Sequence, residues 1–358
     1  MLFAFFAAAG FIVATRPPSQ QRPALWIGGI ILVLFIGLRF KVGCDWDSYV
    51  VLYRLISRHD LLAALRASDP GYGLVNWLSA QLGLGVSGVN VICAAIFSFG
   101  LITLCRDEPN PPLTLAVAVP YLVIVVTGYT RESVAVGLVM LAASQYGRGA
   151  YLRMAISLLL ANSFHHSAVI MLPLFGLAAS HDRILNLVLF VVLGVTGYYV
   201  FVQEHVATLV RIYIQASFNS SGAAVRILMD VIPAVIFLSF RRRFGFSAKL
   251  QRLWSLFALA AIAALVILYF SPSSTAVDRL ALYLVPMQIV VLARLPTAFS
   301  TVRVRNLFLA VTVLAYSLAV EIVWLNFGVY SHCWVPYRNY IWKSPSERES
   351  KHILGRIV

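Results

Sequence analysis

The sequence has few charged residues, few lysines and few cysteines. Charged side chains make up 12% of the 358 residues, which is about half the share found in soluble domains. Hydrophobic residues make up 60%, which excludes an ordinary soluble fold. The apolar runs approach the roughly 20 residues that a membrane-spanning helix needs. They lack the alternation of a membrane β-barrel, so the sequence predicts an all-α, polytopic helix bundle.

Acidic residues are also scarce, and the net charge is +14. The basic residues are spread over many short loops, which is typical of topology signals and lipid headgroup contacts. We therefore expect no nucleic acid partner. Only four of the basic residues are lysine. The planar guanidinium of arginine can bind phosphate through two parallel hydrogen bonds, which the lysine ammonium cannot. A GC-rich genome would also favour arginine over lysine.

The cysteines show no metal-ligand spacing; they are Cys44, Cys93, Cys105 and Cys333. Cys44 and Cys333 fall on the same predicted face of the membrane, where a disulfide and two unpaired thiols both fit. The adjacent His165 and His166 cannot both face one ion from a regular helix. We expect no metal and no cofactor, with a magnesium bridge through the acidic loop residues Asp45 and Asp47 as the alternative.

Hydropathy predicts about twelve membrane segments in one domain, residues 1–358. They lie near 1–15, 24–38, 86–105, 113–129, 132–146, 151–163, 167–179, 184–202, 225–240, 253–271, 279–293 and 306–324. The basic loops at 241–252 and 294–305 are expected to face the cytoplasm. The opposite face then receives the loop at 39–85 and the tail at 325–358. The loop is expected to form an interfacial amphipathic helix over 48–68 and a further re-entrant or interfacial helix over 72–84.

A few ionisable residues adjoin these apolar segments. Arg131 and Glu132 open one segment, and His165 separates two others. Ionisable groups beside hydrocarbon are costly, which makes these residues functional candidates. The alternative is structural, because an arginine at a helix end often extends to the headgroups and a histidine there is often only hydrogen-bonded.

Six short motifs follow one another along the chain. They are R-F-K-V-G-C-D-W-D-S-Y at 39–49, D-P-G-Y-G at 69–73, Y-T-R-E-S-V-A at 129–135, F-H-H-S-A at 164–168, D-R at 278–279 and V-P-Y-R-N-Y at 335–340. In order and in predicted membrane side, the series resembles the EpsG-like, Wzy-type bacterial polysaccharide polymerases. Cys44 and Asp47 depart from the pattern of that family.

The resemblance implies a membrane glycosyltransferase of GT-C-like architecture in the bacterial cytoplasmic membrane. Such an enzyme joins polyprenyl-diphosphate-linked oligosaccharide repeats at the periplasmic face, with inversion and with the lipid diphosphate as leaving group. Its partners would be the lipid-linked donor and acceptor, membrane lipid, and a chain-length regulator and flippase of the same pathway. The alternatives are a flippase or transporter of the same lipid and a glycan ligase.

The predicted topology places four arginines on the external face. Guanidinium groups there would neutralise a diphosphate; the four are Arg39, Arg131, Arg279 and Arg338.

An acceptor hydroxyl also needs a base, for which the candidates are His165, Asp45 and Glu132. We prefer His165 because cationic neighbours would keep its pKa low. Glu132 would otherwise pair with an arginine.

The sugar rings need polar and aromatic partners. The candidates are Tyr49, Tyr72, Tyr337 and Asp278, with Trp46 and Trp334 as further aromatic surfaces. The alternative for Trp334 is the ordinary aromatic belt at the membrane interface.

Overall fold

The computed structural model describes residues 18–180, 222–271 and 274–341, together with residues 3, 4, 6–8, 10, 191 and 220. Within these residues the regular structure is helical, and one isolated β-bridge joins Arg39 to Asn339. The predicted all-α class is confirmed for this part of the chain.

Fifteen α-helices are described. They are α1 (Pro18–Gly37), α2 (Trp46–Ile56), α3 (Leu61–Ala67), α4 (Pro70–Gln81), α5 (Gly85–Arg106), α6 (Pro111–Ala118), α7 (Ile124–Gly128), α8 (Thr130–Gly147), α9 (Tyr151–Phe164), α10 (Met171–Ala179), α11 (Ala223–Phe240), α12 (Ala248–Phe270), α13 (Ser274–Ala281), α14 (Val285–Phe299) and α15 (Arg303–Phe327). A π-helical turn, Val119–Val123, joins α6 to α7, and a 3-10 turn, His166–Ile170, joins α9 to α10.

Five helical stretches are long and apolar enough to cross a membrane. They are Gly85–Arg106, Ala223–Phe244, Ala248–Phe270, Ser274–Phe299 and Val304–Phe327. Four shorter apolar helices accompany them, at Gln21–Gly37, Pro111–Leu122, Tyr151–Phe164 and His166–Ala179. The chain is thus a multi-pass membrane protein. Of the twelve predicted segments, 184–202 lies almost wholly, and 1–15 largely, outside the described residues.

The external loop departs from the prediction of one amphipathic helix over 48–68. It forms α2 and α3, separated at Ser57–Asp60, and then α4, which agrees with the further helix predicted over 72–84. The side chain of Asp60 accepts a hydrogen bond from Ala63 N at 2.8 Å and so caps α3. A capping carboxylate satisfies the free N–H groups of a new helix, which explains why the first helix does not continue.

Close packing of α5 on α8 fixes the centre of the bundle. A Cβ atom on Gly137 would lie 2.6 Å from Phe97 Cα, and one on Gly100 would overlap the Gly137 carbonyl. Small residues let helix backbones approach closely inside a membrane. This contact holds α8 against α5. It therefore fixes where the first residues of α8 lie along the bundle axis.

Charged residues collect at both ends of α5. Beyond its C-terminus, Arg294 pairs with Glu108 at 2.5 Å, and Arg148 pairs with Asp107 at 2.5 Å. A helix of this length spans about 30 Å, close to the hydrocarbon thickness of a bilayer. The second group of charges, near the start of α5 and α8, lies at the opposite end and forms the candidate site.

Candidate active site

Four segments that are distant in sequence bring acids and bases into one chain of contacts, which we call the ionic centre. Its members are Asp69 before α4, Arg131 and Glu132 in the first turn of α8, His165 after α9 and Arg279 in α13. Arg131 Nη1 lies 2.7 Å from Asp69 Oδ2, and His165 Nε2 lies 3.0 Å from Glu132 Oε1. Arg279 Nη1 lies 3.2 Å from that same Glu132 oxygen. The prediction that these segments share one face is consistent with these contacts.

The two histidines do not lie on one regular helix. His165 has an extended backbone, with φ −156° and ψ 117°, and ends α9. His166 therefore turns towards Asp69: its backbone N–H donates to Asp69 Oδ1 at 3.2 Å, and its Nε2 lies 3.2 Å from the same oxygen. His165 Nδ1 lies 3.7 Å from Asp69 Oδ2. Both imidazoles therefore face one carboxylate, which the break in the helix at His165 allows.

The electrostatics of His165 correct a second expectation. Burial lowers its pKa, but Asp69 and Glu132 raise it and prevail, so the pKa lies above the ordinary 6.5. Cationic neighbours were expected to hold this pKa low, but the contacts of His165 with two carboxylates raise it. The pKa of Asp69 is affected in the opposite direction. Burial raises it, but His165 and Arg131 outweigh burial, so the pKa is lowered.

Asp45 lies beside the ionic centre without being tied into it. It is the residue before α2, and its side chain makes no capping hydrogen bond to that helix. The residue is partly buried. Burial raises its pKa, while the charge of Arg279 opposes the shift and that of Glu132 adds to it. The partly buried carboxylate thus lies within the electrostatic influence of both charged groups.

Arg131 and Arg279 are held by carboxylates but remain reachable. Their side chains are 34% and 36% exposed, whereas Asp69 and Glu132 are 3% and 4% exposed. Arg279 also lies over the ring of Tyr129, 5.1 Å from its centroid. Two guanidinium groups that have buried partners and are about one-third exposed can bind a further anion.

The other two predicted arginines lie elsewhere. The guanidinium group of Arg39 is buried and donates to Ile36 O at 2.8 Å, to Asn90 Oδ1 at 3.1 Å and to Thr130 Oγ1 at 2.7 Å. Arg338 is exposed, and its carbonyl accepts a hydrogen bond from Phe40 N at 2.9 Å. The Arg39 side chain is thus enclosed by α1, α5 and α8, whereas Arg338 lies where the tail pairs with the external loop.

The predicted sugar-binding residues are mostly packed inside. Tyr72 is 1% exposed and meets Tyr49 edge to face at 5.8 Å between centroids. Tyr337 stacks on Phe35 at 4.3 Å and donates its hydroxyl to the Phe35 carbonyl at 2.5 Å. Asp278 accepts two hydrogen bonds from Arg226, at 2.7 and 2.6 Å.

The C-terminal tail is fastened to the external loop. A Cys44–Cys333 disulfide joins them, with 5.2 Å between the Cα atoms, so the disulfide is the alternative that the structure contains. The Gly43 N–H donates to Cys333 O at 2.9 Å. Gly43 has φ +92°, and a Cβ there would lie 2.7 Å from Thr127 O, so only glycine fits.

The indole of Trp334 packs on Gly128 and donates to Thr127 Oγ1 at 2.7 Å. Trp334 is thus a packing residue of the tail, whereas the sequence suggested a sugar surface or a lipid-facing belt. The side chain of His332 is near the two sulfur atoms, all within 4.8 Å of one another. Sulfur atoms bonded to each other are not thiolate ligands, so in this state the cluster does not offer a metal site.

Sequence reasoning missed Asp69 as a member of the site. It was noticed only as the acidic residue of a motif, although it stands at the end of a polar loop and directly before Pro70, where a helix begins. The partners Asn90, Thr130 and Arg226 were missed as well. Hydropathy gives no signal for a polar residue in an apolar helix whose partner lies far away in sequence.

These features define a class: a helical, multi-pass membrane protein with an ionic centre at one end of its bundle, tied to a disulfide-fastened tail. A model of the EpsG family matches residues 25–339, and the chain belongs to this family. The matched range contains all five members of the ionic centre. No curated protein and no solved structure matches the chain.

Proposed function

We propose that the protein is a polysaccharide polymerase that joins oligosaccharide repeats carried on a polyprenyl diphosphate. Membership of the EpsG family suggests a polymerase-like role in polysaccharide synthesis. The observation that carries the finer proposal is the ionic centre, in which Arg131 and Arg279 are fixed by buried carboxylates yet are about one-third exposed. This is the arrangement that a diphosphate leaving group requires.

The reaction is a displacement at the anomeric carbon of the growing chain. A hydroxyl of the incoming repeat attacks that carbon, the bond from the carbon to the diphosphate oxygen breaks, and the lipid diphosphate leaves with the bonding electrons. Arg131 and Arg279 neutralise the charge that develops on the leaving group. Direct attack inverts the anomeric configuration, so a retained configuration in the product would refute this step.

The attacking hydroxyl loses its proton to Asp45. This carboxylate is only partly buried, is not used as a helix cap and is influenced by the charges of Arg131 and Arg279. A raised pKa brings a carboxylate closer to the strength that a general base needs near neutral pH. His165 lies between Asp69 and Glu132 and serves as an imidazolium that adds positive charge at the diphosphate. This reverses the preference for His165 as the base.

We place the ionic centre on the periplasmic face of the cytoplasmic membrane. The basic loop residues Arg241, Arg242 and Arg243 lie at the end of the α11 span, near Arg294, and basic loops remain in the cytoplasm. Cysteines introduced at positions 131 and 279, in a protein without other exposed thiols, should react with an impermeant thiol reagent added outside. Reaction only from the cytoplasmic side would invert the orientation.

The deciding experiment supplies purified protein with a polyprenyl-diphosphate-linked repeat in detergent, without nucleotide sugar. We expect a ladder spaced by one repeat, lost in Arg131→Ala and Arg279→Ala while both variants remain folded. Glu108→Gln, at the opposite end of α5, is the control that should keep the ladder. Near-normal polymer from both arginine variants would refute their role.

Two results would redirect the proposal. If the substrate stays monomeric but crosses the bilayer of liposomes that contain the protein, the protein is a transporter. Transfer of a finished glycan to a different acceptor, without a ladder, would make it a ligase.

A further inference from the structure

Arg39 is a buried cation that binds only neutral groups among the contacts described for it. It is 1% exposed, and its guanidinium donates to Ile36 O in α1, Asn90 Oδ1 in α5 and Thr130 Oγ1 in α8. Within the described residues the ion pairs leave Arg39 out. The side chain therefore joins three helices at one point.

Such a charge is expensive to bury. Taking one ion out of water costs several kcal/mol even after relaxation, and a carboxylate partner usually offsets that cost. Here neutral acceptors do so alone, and Arg39 Nε has no hydrogen-bond partner in the described part of the chain. An apolar side chain of similar volume would serve stability as well or better. The buried charge of Arg39 therefore calls for another explanation.

The Thr130 contact supplies one. Thr130 is the first residue of α8, and the two residues after it are Arg131 and Glu132. The residue before the helix, Tyr129, gives no side-chain capping hydrogen bond. The start of α8 lacks its usual cap, and Arg39 fixes it from outside through the Thr130 hydroxyl.

We propose that Arg39 is a positioning residue that sets the first turn of α8 and thereby aims Arg131 at Asp69 and Glu132 at His165. The inference rests on the proposed polymerase function for its kinetic consequence. This role takes the place of the direct diphosphate binding that the sequence suggested for Arg39. The guanidinium donates to Ile36, Asn90 and Thr130, so Arg39 acts on the substrate only through its neighbours.

The test uses a matched pair at position 130. Thr130→Ser keeps the acceptor for Arg39, whereas Thr130→Val has the shape of threonine without it. A misplacement of about 1 Å can cost roughly 100-fold in rate, so we expect kcat to fall at least about tenfold in Thr130→Val. Thr130→Ser should stay within about twofold of the wild type because the hydrogen bond is retained.

A second pair compares arginines. Arg39→Lys loses the fork that spans three acceptors, and Arg294→Lys makes the same change in a buried arginine at the far end of the bundle. Both should lower the melting temperature, but only Arg39→Lys should lower kcat. The double variant Arg39→Lys/Thr130→Val should be no slower than the slower single variant, since both break one contact. Equal losses of kcat in both lysine variants, or additive losses in the double variant, would overturn the proposal.

A readout independent of activity separates this inference from the proposed function. If the start of α8 moves, Glu132 leaves His165, and the pKa of His165 falls towards its ordinary value. The pH dependence of thermal unfolding should therefore change in Thr130→Val and stay as in the wild type in Thr130→Ser. Unchanged pH dependence in Thr130→Val would refute the positioning role. If the two variants differ in this way but the wild type makes no polymer, only the polymerase proposal is refuted.

Discussion

Glu132→Gln is the most informative single change in this protein. Glu132 is 3% exposed, and one of its oxygens contacts both His165 Nε2 at 3.0 Å and Arg279 Nη1 at 3.2 Å. The amide keeps the shape and removes the charge, so two cations lose their shared counter-ion. Breaking a buried ion pair costs about 3–5 kcal/mol. The side chain of Arg279 is 36% exposed, so water can solvate its charge when Glu132 is neutral. We therefore expect a loss of stability at the lower end of this range, about 3 kcal/mol.

The pH dependence gives the sharper signature. His165 has a raised pKa in the folded protein, so it stabilises the fold below its unfolded pKa, and that stabilisation is lost as pH rises through the folded value. The wild type should therefore lose stability as pH rises above about 6.5, the ordinary histidine pKa. In Glu132→Gln this loss should be smaller, because Asp69 alone remains to raise the pKa.

Thermal unfolding in detergent between pH 5.5 and 8.5 measures both effects. Glu108→Gln is the matched control, because Glu108 is 7% exposed and pairs with the buried Arg294. It should lower the melting temperature comparably without altering the pH dependence above 6.5. If Glu132→Gln and the wild type lose stability with pH in the same way, the coupling of Glu132 to His165 is wrong.

Three further predictions follow from the site and its surroundings. Asp45→Asn should abolish polymer on the gel while changing the melting temperature little, because the Asp45 side chain makes no capping bond. Asp69→Asn should lower the melting temperature by removing the counter-ion of Arg131, and it should reduce polymer without eliminating it. Cys44→Ser with Cys333→Ser should cost about 2–5 kcal/mol of stability; reductant should do the same to the wild type and nothing more to the double variant.

The helical fold could be predicted because apolar runs that approach the length of a membrane span admit few other structures. The shared face of Arg131, His165 and Arg279 followed from counting spans between basic loops. Each of these inferences uses information that is local in the sequence. Topology then brings distant segments to the same side of the membrane, although not into particular contacts.

The contacts themselves could not be predicted. The pKa direction of His165 depends on two carboxylates, and one of them, Asp69, is nearly a hundred residues away in sequence, in a separate helix–loop unit. Burial of Arg39 depends on Asn90 and Thr130, which the sequence shows only as polar residues in apolar runs. The break before α3 depends on whether Asp60 caps a new helix or lies on an exposed face, and amphipathic periodicity fits both.

The pairing of loop and tail has a consequence for biosynthesis. Cys44 and Cys333 are 289 residues apart, and at about 5–20 residues per second the ribosome needs roughly 15 to 60 seconds to make what lies between them. During that time the loop that carries Asp45 lacks the partner that the tail provides, and every later span must be inserted before Asn339 can meet Arg39. A chain interrupted before the tail emerges would have most of its arginines but an unfastened loop. The fastened pairing of loop and tail therefore forms only in molecules whose synthesis has passed the last span.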